Sequence, residues 1–212
     1  MALSRDDVLG RLPPGLWEKL RADPVRAPEY LALAAAEHHA PAAEAWVAEK
    51  RAAYAGGSPE LALMAKRRHA ALARFGGAAT GIGGVVTVLP DLAALGWIQS
   101  RLVFFVAAAY GFDPRDPMRP AELLVLQGFY PDPPAARAAL DGVGRTMAEA
   151  WVSKRTSGEQ ALLTRLVKLG GRQLGKRAAS RLIPGLAVVA NAVGNERSTR
   201  ALADRAIAFY GG

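Results

Sequence analysis

Four basic residues, Arg165, Lys168, Arg172 and Lys176, recur at i, i+3, i+7 and i+11. On an α-helix that spacing gathers them within an arc of roughly 80°. Leu163, Leu166 and Leu174 lie on the other side, with Leu162 and Leu169 at the flank, and Arg177 and Arg181 carry the charge on along the chain toward Leu182. No acid is interleaved between Arg165 and Arg181. Such a face attracts anions: lipid headgroups, a nucleic-acid backbone or an acidic protein. An ordinary solvated helix face gives the same pattern without any partner. The basic amphipathic arrangement, with few aromatics among the charges and no recognisable nucleic-acid-binding module, favours an anionic membrane surface over nucleic acid.

A second chemistry, phosphate binding by a glycine loop, fits poorly. Gly170-x4-Gly175-Lys176 approaches the nucleotide-binding pattern, but Arg177 stands where a magnesium-ligating hydroxyl belongs and no strand precedes it. The pairs Gly77/Gly81 and Gly171/Gly175 are each four residues apart, which suits close helix crossings. Thr80, Asp91, Gln99 and Arg101 are four polar residues of the apolar stretch between Phe75 and Phe112 that could line a cleft. Asp91 follows Pro90, where a carboxylate satisfies the free N–H groups and dipole of a helix start. Arg101 and Gln99 fall mid-helix among apolar neighbours, so an ion pair inside a bundle is expected for the arginine. Consecutive His38 and His39 point about 100° apart on a helix and do not converge on one ion. With His69 distant in sequence, the histidines read as structural surface residues, and no metal or cofactor is expected. There is no cysteine, no GxSxG and no HExxH, so the common nucleophile and metalloenzyme signatures are missing.

The elements that must carry these residues are helices. Among the 212 residues 51% are apolar, and alanine and leucine outnumber β-branched residues. Charge is uneven. Residues 1–144 hold fifteen Lys/Arg against fifteen Asp/Glu, whereas residues 145–212 hold twelve against four, so the whole +8 lies in the last third. The opening residues MALSRDDVLGRLPPG lack the apolar core of a signal peptide, which predicts a cytoplasmic start. Asp91 and Arg101 interrupt the apolar stretch, so a membrane span is not expected.

Proline and glycine divide the chain into about ten expected helical pieces. They are 16–21, the pair 28–39 and 42–54 broken at Pro41, 58–74 opened by Ser58-Pro59, and a glycine segment over 76–86. An apolar helix follows from Pro90 to Tyr110-Gly111, then 120–129, a helix from Asp132-Pro133-Pro134 to Lys154, and 157–181. Two last pieces are bounded by Pro184 and Gly194. Val85 to Leu89 is the single weak strand candidate. The expected fold is all-α, a single-domain multi-helix bundle around a central apolar helix preceded by glycines.

Three blocks, AKRRHAALARFGGAATGIGGVVTVLPDLAAL (65–95), AAAYGFDP (107–114) and GKRAASRLIPGLAVVANAVGN (175–195), give the chain a resemblance to the EcsC family of bacterial proteins. That family is named for a gene found beside those of an ABC transporter. The resemblance implies an association with membrane transport and carries over no catalytic residues. It divides the chain into an N-terminal helical segment over 1–55, packed on the bundle, and a family-like helical domain over 56–212. The expectation is a non-enzymatic protein, peripheral at the inner face of the membrane, that contacts anionic lipid or a membrane transporter. The alternative is a lipid-handling or hydrolytic enzyme with its cleft at the glycine block, and a weaker one is a nucleic-acid-binding bundle.

Overall fold

The structure, a computed structural model, describes residues 12–80, 88–143 and 184–212, with side chains described outside 24, 75–80, 88–92 and 184–192. Every regular element among the described residues is helical: α1 (Leu16–Ala22), a 3-10 turn (Pro24–Arg26), α2 (Ala27–Ala53), α3 (Ser58–Thr80), α4 (Val88–Ala109), α5 (Arg119–Leu126), α6 (Pro133–Leu140) and α7 (Pro184–Gly211). The all-α expectation holds. Val88 and Leu89, the end of the one strand candidate, already belong to α4.

The core is built around α4. Leu102 to Ala109 are all buried, the condition for a helix that is apolar on every face and surrounded by others. Partner residues give the directions. Against α3, α4 runs antiparallel, with Phe105 beside His69 and Leu95 and Ile98 beside Leu72 and Ala73. Against α7 it runs parallel, with Gln99 beside Ser198 and the ring of Tyr110 beside Gly211. Against α2 it is also parallel: His39 meets Trp97, Trp46 meets Phe105, and Arg51 reaches the carbonyl of Ala109. α3 and α7 are antiparallel, joined by Lys66–Asp204 and Arg74–Glu196. The C-terminal end of α3 and the N-terminal ends of α4 and α7 therefore lie at one end of the bundle. α1, α5 and α6 pack against α2.

Several boundaries differ from the sequence expectation. α2 passes through Pro41 without a break. Proline removes one N–H and crowds the carbonyl four residues back, but Pro41 and Glu37 are both exposed, so the carbonyl left without its donor faces solvent. Meanwhile the buried stripe Leu31, Ala35, His39, Ala43 and Trp46 continues across the proline against the core. α3 runs past Arg74 through Gly76 and Gly77 to Thr80. α6 stops at Leu140 rather than Lys154: Gly142 adopts φ 74, and its N–H and that of Val143 bond back to Ala139 and Ala138, a left-handed glycine stop. Gly111 (φ 88) ends α4 in the same way. α7 is one helix through Gly194, not two pieces. Gly194 is buried, and packing against α3 offsets the roughly 1 kcal/mol that a helix-interior glycine costs.

Candidate functional site

The basic residues Arg165, Lys168, Arg172, Lys176, Arg177 and Arg181 lie outside the described residues, as do Gly81, Gly171, Gly175 and the expected helix over 157–181. Gly77 lies in α3, as does Thr80, its last residue; Asp91 lies in the first turns of α4. The helix directions put Thr80 and Asp91 at the same end of the bundle, with their side chains outside the described ones.

Gln99 and Arg101 are described and do not share a cleft. Two residues apart on α4, they point about 200° apart. Gln99 faces α7, where its Nε2 donates to Ser198 Oγ at 3.2 Å and Thr199 Oγ1 at 3.4 Å. Ser198 in turn donates to the carbonyl of Asn195, and Ser100 to that of Gly96. These bonds satisfy polar groups at a buried helix crossing, and the two from Gln99 fix the register of α4 against α7. Arg101 turns the other way, its guanidinium over the Phe105 ring at 5.1 Å.

Around Phe105 the fold assembles a cluster that sequence reading missed. His69 is fully buried, its Nδ1 bonded to the carbonyl of Ala65 at 2.8 Å and its ring edge-on to Phe105 at 5.0 Å. The Arg68 guanidinium also lies over Phe105, at 6.0 Å. His39 is 3% exposed and packs on Trp97 with ring centroids 4.3 Å apart. Burial, and next to it the charge of Arg101, holds the His39 imidazole well below the usual histidine range; His38 and His69 push the same way, and a hydrogen bond with the Trp97 backbone opposes them. His39 is therefore neutral at pH 7, and its buried Nε2 has no hydrogen-bond partner. The surface role expected for the histidines is corrected for His39 and His69, and it stands only for His38, which is exposed. The signal was present: His39 continues the stripe of α2, and His69 follows Leu61 and Ala65 on the buried face of α3. Assuming a break at Pro41 hid the first. Among the described residues no group of three or more His, Asp or Glu side chains could hold a metal ion.

The outer face of the α3–α7 pair is strongly basic. Residues 64–74 and 193–205 together carry seven Lys/Arg and two acids, Glu196 and Asp204. Arg67, Arg74, Arg197 and Arg200 are exposed. Glu196 is shared between Arg200 at 2.8 Å and Arg74 at 3.9 Å, and Asp204 pairs with Lys66. Arg68 turns in over Phe105 and Arg205 bonds the carbonyl of Leu126, so Lys66 and the exposed Arg67, Arg74, Arg197 and Arg200 stand against Glu196 and Asp204 and leave a net positive field on the helices that end beside the glycine block.

At the opposite end the last turn of α7 is tied to α5. Tyr210 donates to Glu122 Oε2 at 2.7 Å, and Arg119 Nη1 lies 2.6 Å from the same oxygen. Arg119 is buried, with its guanidinium over the rings of Phe112 and Tyr210. Burial raises the Glu122 carboxyl above its ordinary value, against the pull of Tyr210 and Arg119, and raises the Tyr210 hydroxyl as well. This network is a structural clasp that ties α7 to α5.

Comparison with known proteins gives one match. The model of the EcsC protein family matches residues 47–211, beginning inside α2. No curated protein and no solved structure matches the chain. Among the described residues no helix is long and apolar enough to cross a membrane.

Proposed function

The chain belongs to the EcsC protein family, and from that premise we propose that it is a non-enzymatic, membrane-peripheral helical protein that docks on an anionic bilayer at the inner face of the membrane. The observation that carries this reading is a convergence at one end of the bundle. The glycine-rich apolar residues 76–89 lead from α3 into α4, and α7 begins there with the apolar sequence PGLAVVA, three residues past Arg181. Two Gly/apolar blocks about a hundred residues apart in sequence, one following the basic stripe 165–181, thus reach the same end. The basic outer face of α3 and α7 runs down from it. Apolar residues beside cations are what an anionic interface takes: the apolar part partitions among the acyl chains while Lys and Arg stay at the headgroups.

The test is cosedimentation of the purified chain with vesicles of phosphatidylglycerol and phosphatidylcholine, against phosphatidylcholine alone, across a salt series. Each Lys or Arg at an anionic surface contributes about 1 kcal/mol, so reversing Arg165, Lys168, Arg172 and Lys176 to Glu should cut binding at least roughly a thousandfold. Binding should weaken with salt as the Debye length shrinks below about 10 Å. Wild type that ignores anionic vesicles at low salt refutes the lipid reading and points to an acidic protein, such as a transporter segment, as the partner. Retention of duplex DNA with a steep salt slope, and no lipid binding, would replace it with the nucleic-acid reading.

A further inference from the structure

We propose that His39 is an acid-sensitive latch, which holds the N-terminal helix α2 on the central helix α4 while neutral and releases it when protonated. The proposal does not depend on lipid binding. It rests on where His39 sits and what surrounds it. The residue comes from the part of α2 that precedes the family match, residue 47 onward. It inserts its ring against Trp97, at the same helix crossing where Trp46 packs on Phe105 at 5.2 Å. Its Nε2 is buried without a hydrogen-bond partner, and the Trp97 backbone, which favours a proton on the ring, is outweighed by burial and the neighbouring cations. The titratable groups acting on it are all basic: His38 on its own helix, Arg101 on α4 and His69 on α3. Arg68, also on α3, lies over the same Phe105 ring as Arg101. Protonating His39 in place would add a cation to this group.

The proton is therefore taken up by the open form, in which α2 has lifted and His39 meets water. A histidine in water titrates near pH 6.5, whereas the docked ring stays neutral, so the proton binds the open state preferentially. Between pH 7.5 and 5.5 this multiplies the opening equilibrium by about tenfold. Opening uncovers Trp97 and Phe105 on α4, an aromatic face that is buried while α2 is docked.

Hydrogen exchange of the full chain at pH 7.5 and 5.5, each rate divided by its intrinsic exchange rate, reads this opening directly. Protection of α2 amides around His39 and of α4 amides around Trp97 should fall about tenfold on acidification. In His39→Phe, which keeps a ring on Trp97 and cannot titrate, protection should be the same at both values. No pH dependence in wild type, or an undiminished tenfold loss in His39→Phe, overturns the proposal. If His39→Phe does not fold, His39→Gln serves in the same comparison. Independently, proton NMR of wild type should show the His39 ring neutral well below pH 6.5 while the fold is intact; titration near 6.5 with α2 still protected would also overturn it.

Discussion

Replacing Tyr210 by Phe removes one oxygen from a clasp whose geometry sets the size and the pH dependence of the effect. The hydroxyl donates to Glu122 Oε2 at 2.7 Å, and both side chains are buried. A buried hydrogen bond to a charged group contributes about 1.5–3 kcal/mol, and its loss leaves the carboxylate less well satisfied. Glu122 keeps Arg119 at 2.6 Å, so the loss is partial and about 2 kcal/mol is expected. For a chain of this length that is roughly a 4–8 °C fall in Tm. Burial already raises the Glu122 carboxyl, and the Tyr210 hydrogen bond lowers it; the variant's carboxyl must then sit higher still. A bond that favours the carboxylate contributes fully above the carboxyl's titration and fades as the pH falls through it. The Tyr210→Phe penalty should therefore be full above the raised titration of this carboxyl and drop to about half once the pH has fallen through it, where a neutral bond replaces a charge-assisted one. Urea unfolding of both proteins at pH 7 and pH 4 measures it. A penalty under about 0.5 kcal/mol at pH 7, or one that grows in acid, would refute the reasoning and place Tyr210 outside the network that holds α7 to α5.

Two further substitutions probe the centre of the fold. Phe105→Ala removes a ring that touches Trp46, His69 and the Arg101 guanidinium; it should cost about 3–5 kcal/mol in urea unfolding, and a loss under about 1 kcal/mol would show that the site collapses around the void. Leu95→Asp puts a carboxylate against Leu72, Ala73 and Ile98; a loss above about 4 kcal/mol is expected, seen as loss of the helical circular-dichroism signal and of a cooperative melt, and a wild-type melt would show that this side of α4 faces solvent or lipid.

What could be read along the chain was what local physics decides. Helix against strand followed from composition and periodicity, and starts such as Ser58-Pro59 and Asp132-Pro133 followed from capping within one turn; Asp132 does accept from the N–H of Ala135 at 2.8 Å. The burial of α4 on all sides was legible because its residues are apolar on every face. The stop at Gly142 was equally local, an Asp-Gly pair passed over in favour of a longer helix. The other differences are not local. Whether Pro41 breaks α2 depends on whether the halves it joins have one surface to pack on, and that surface is α4, about fifty residues later. A buried His39 beside Arg101, and Gln99 bonded to Ser198, are contacts between helices far apart in sequence. No residue's neighbours along the chain report which helix will lie across from it. Sequence by itself determined that the described elements are helices rather than strands, that the last third carries the charge and that the chain resembles one family. Tertiary structure alone decided which polar side chains face each other in the core and which helix ends share a pole, because those are set by the packing of whole apolar faces rather than by any one turn.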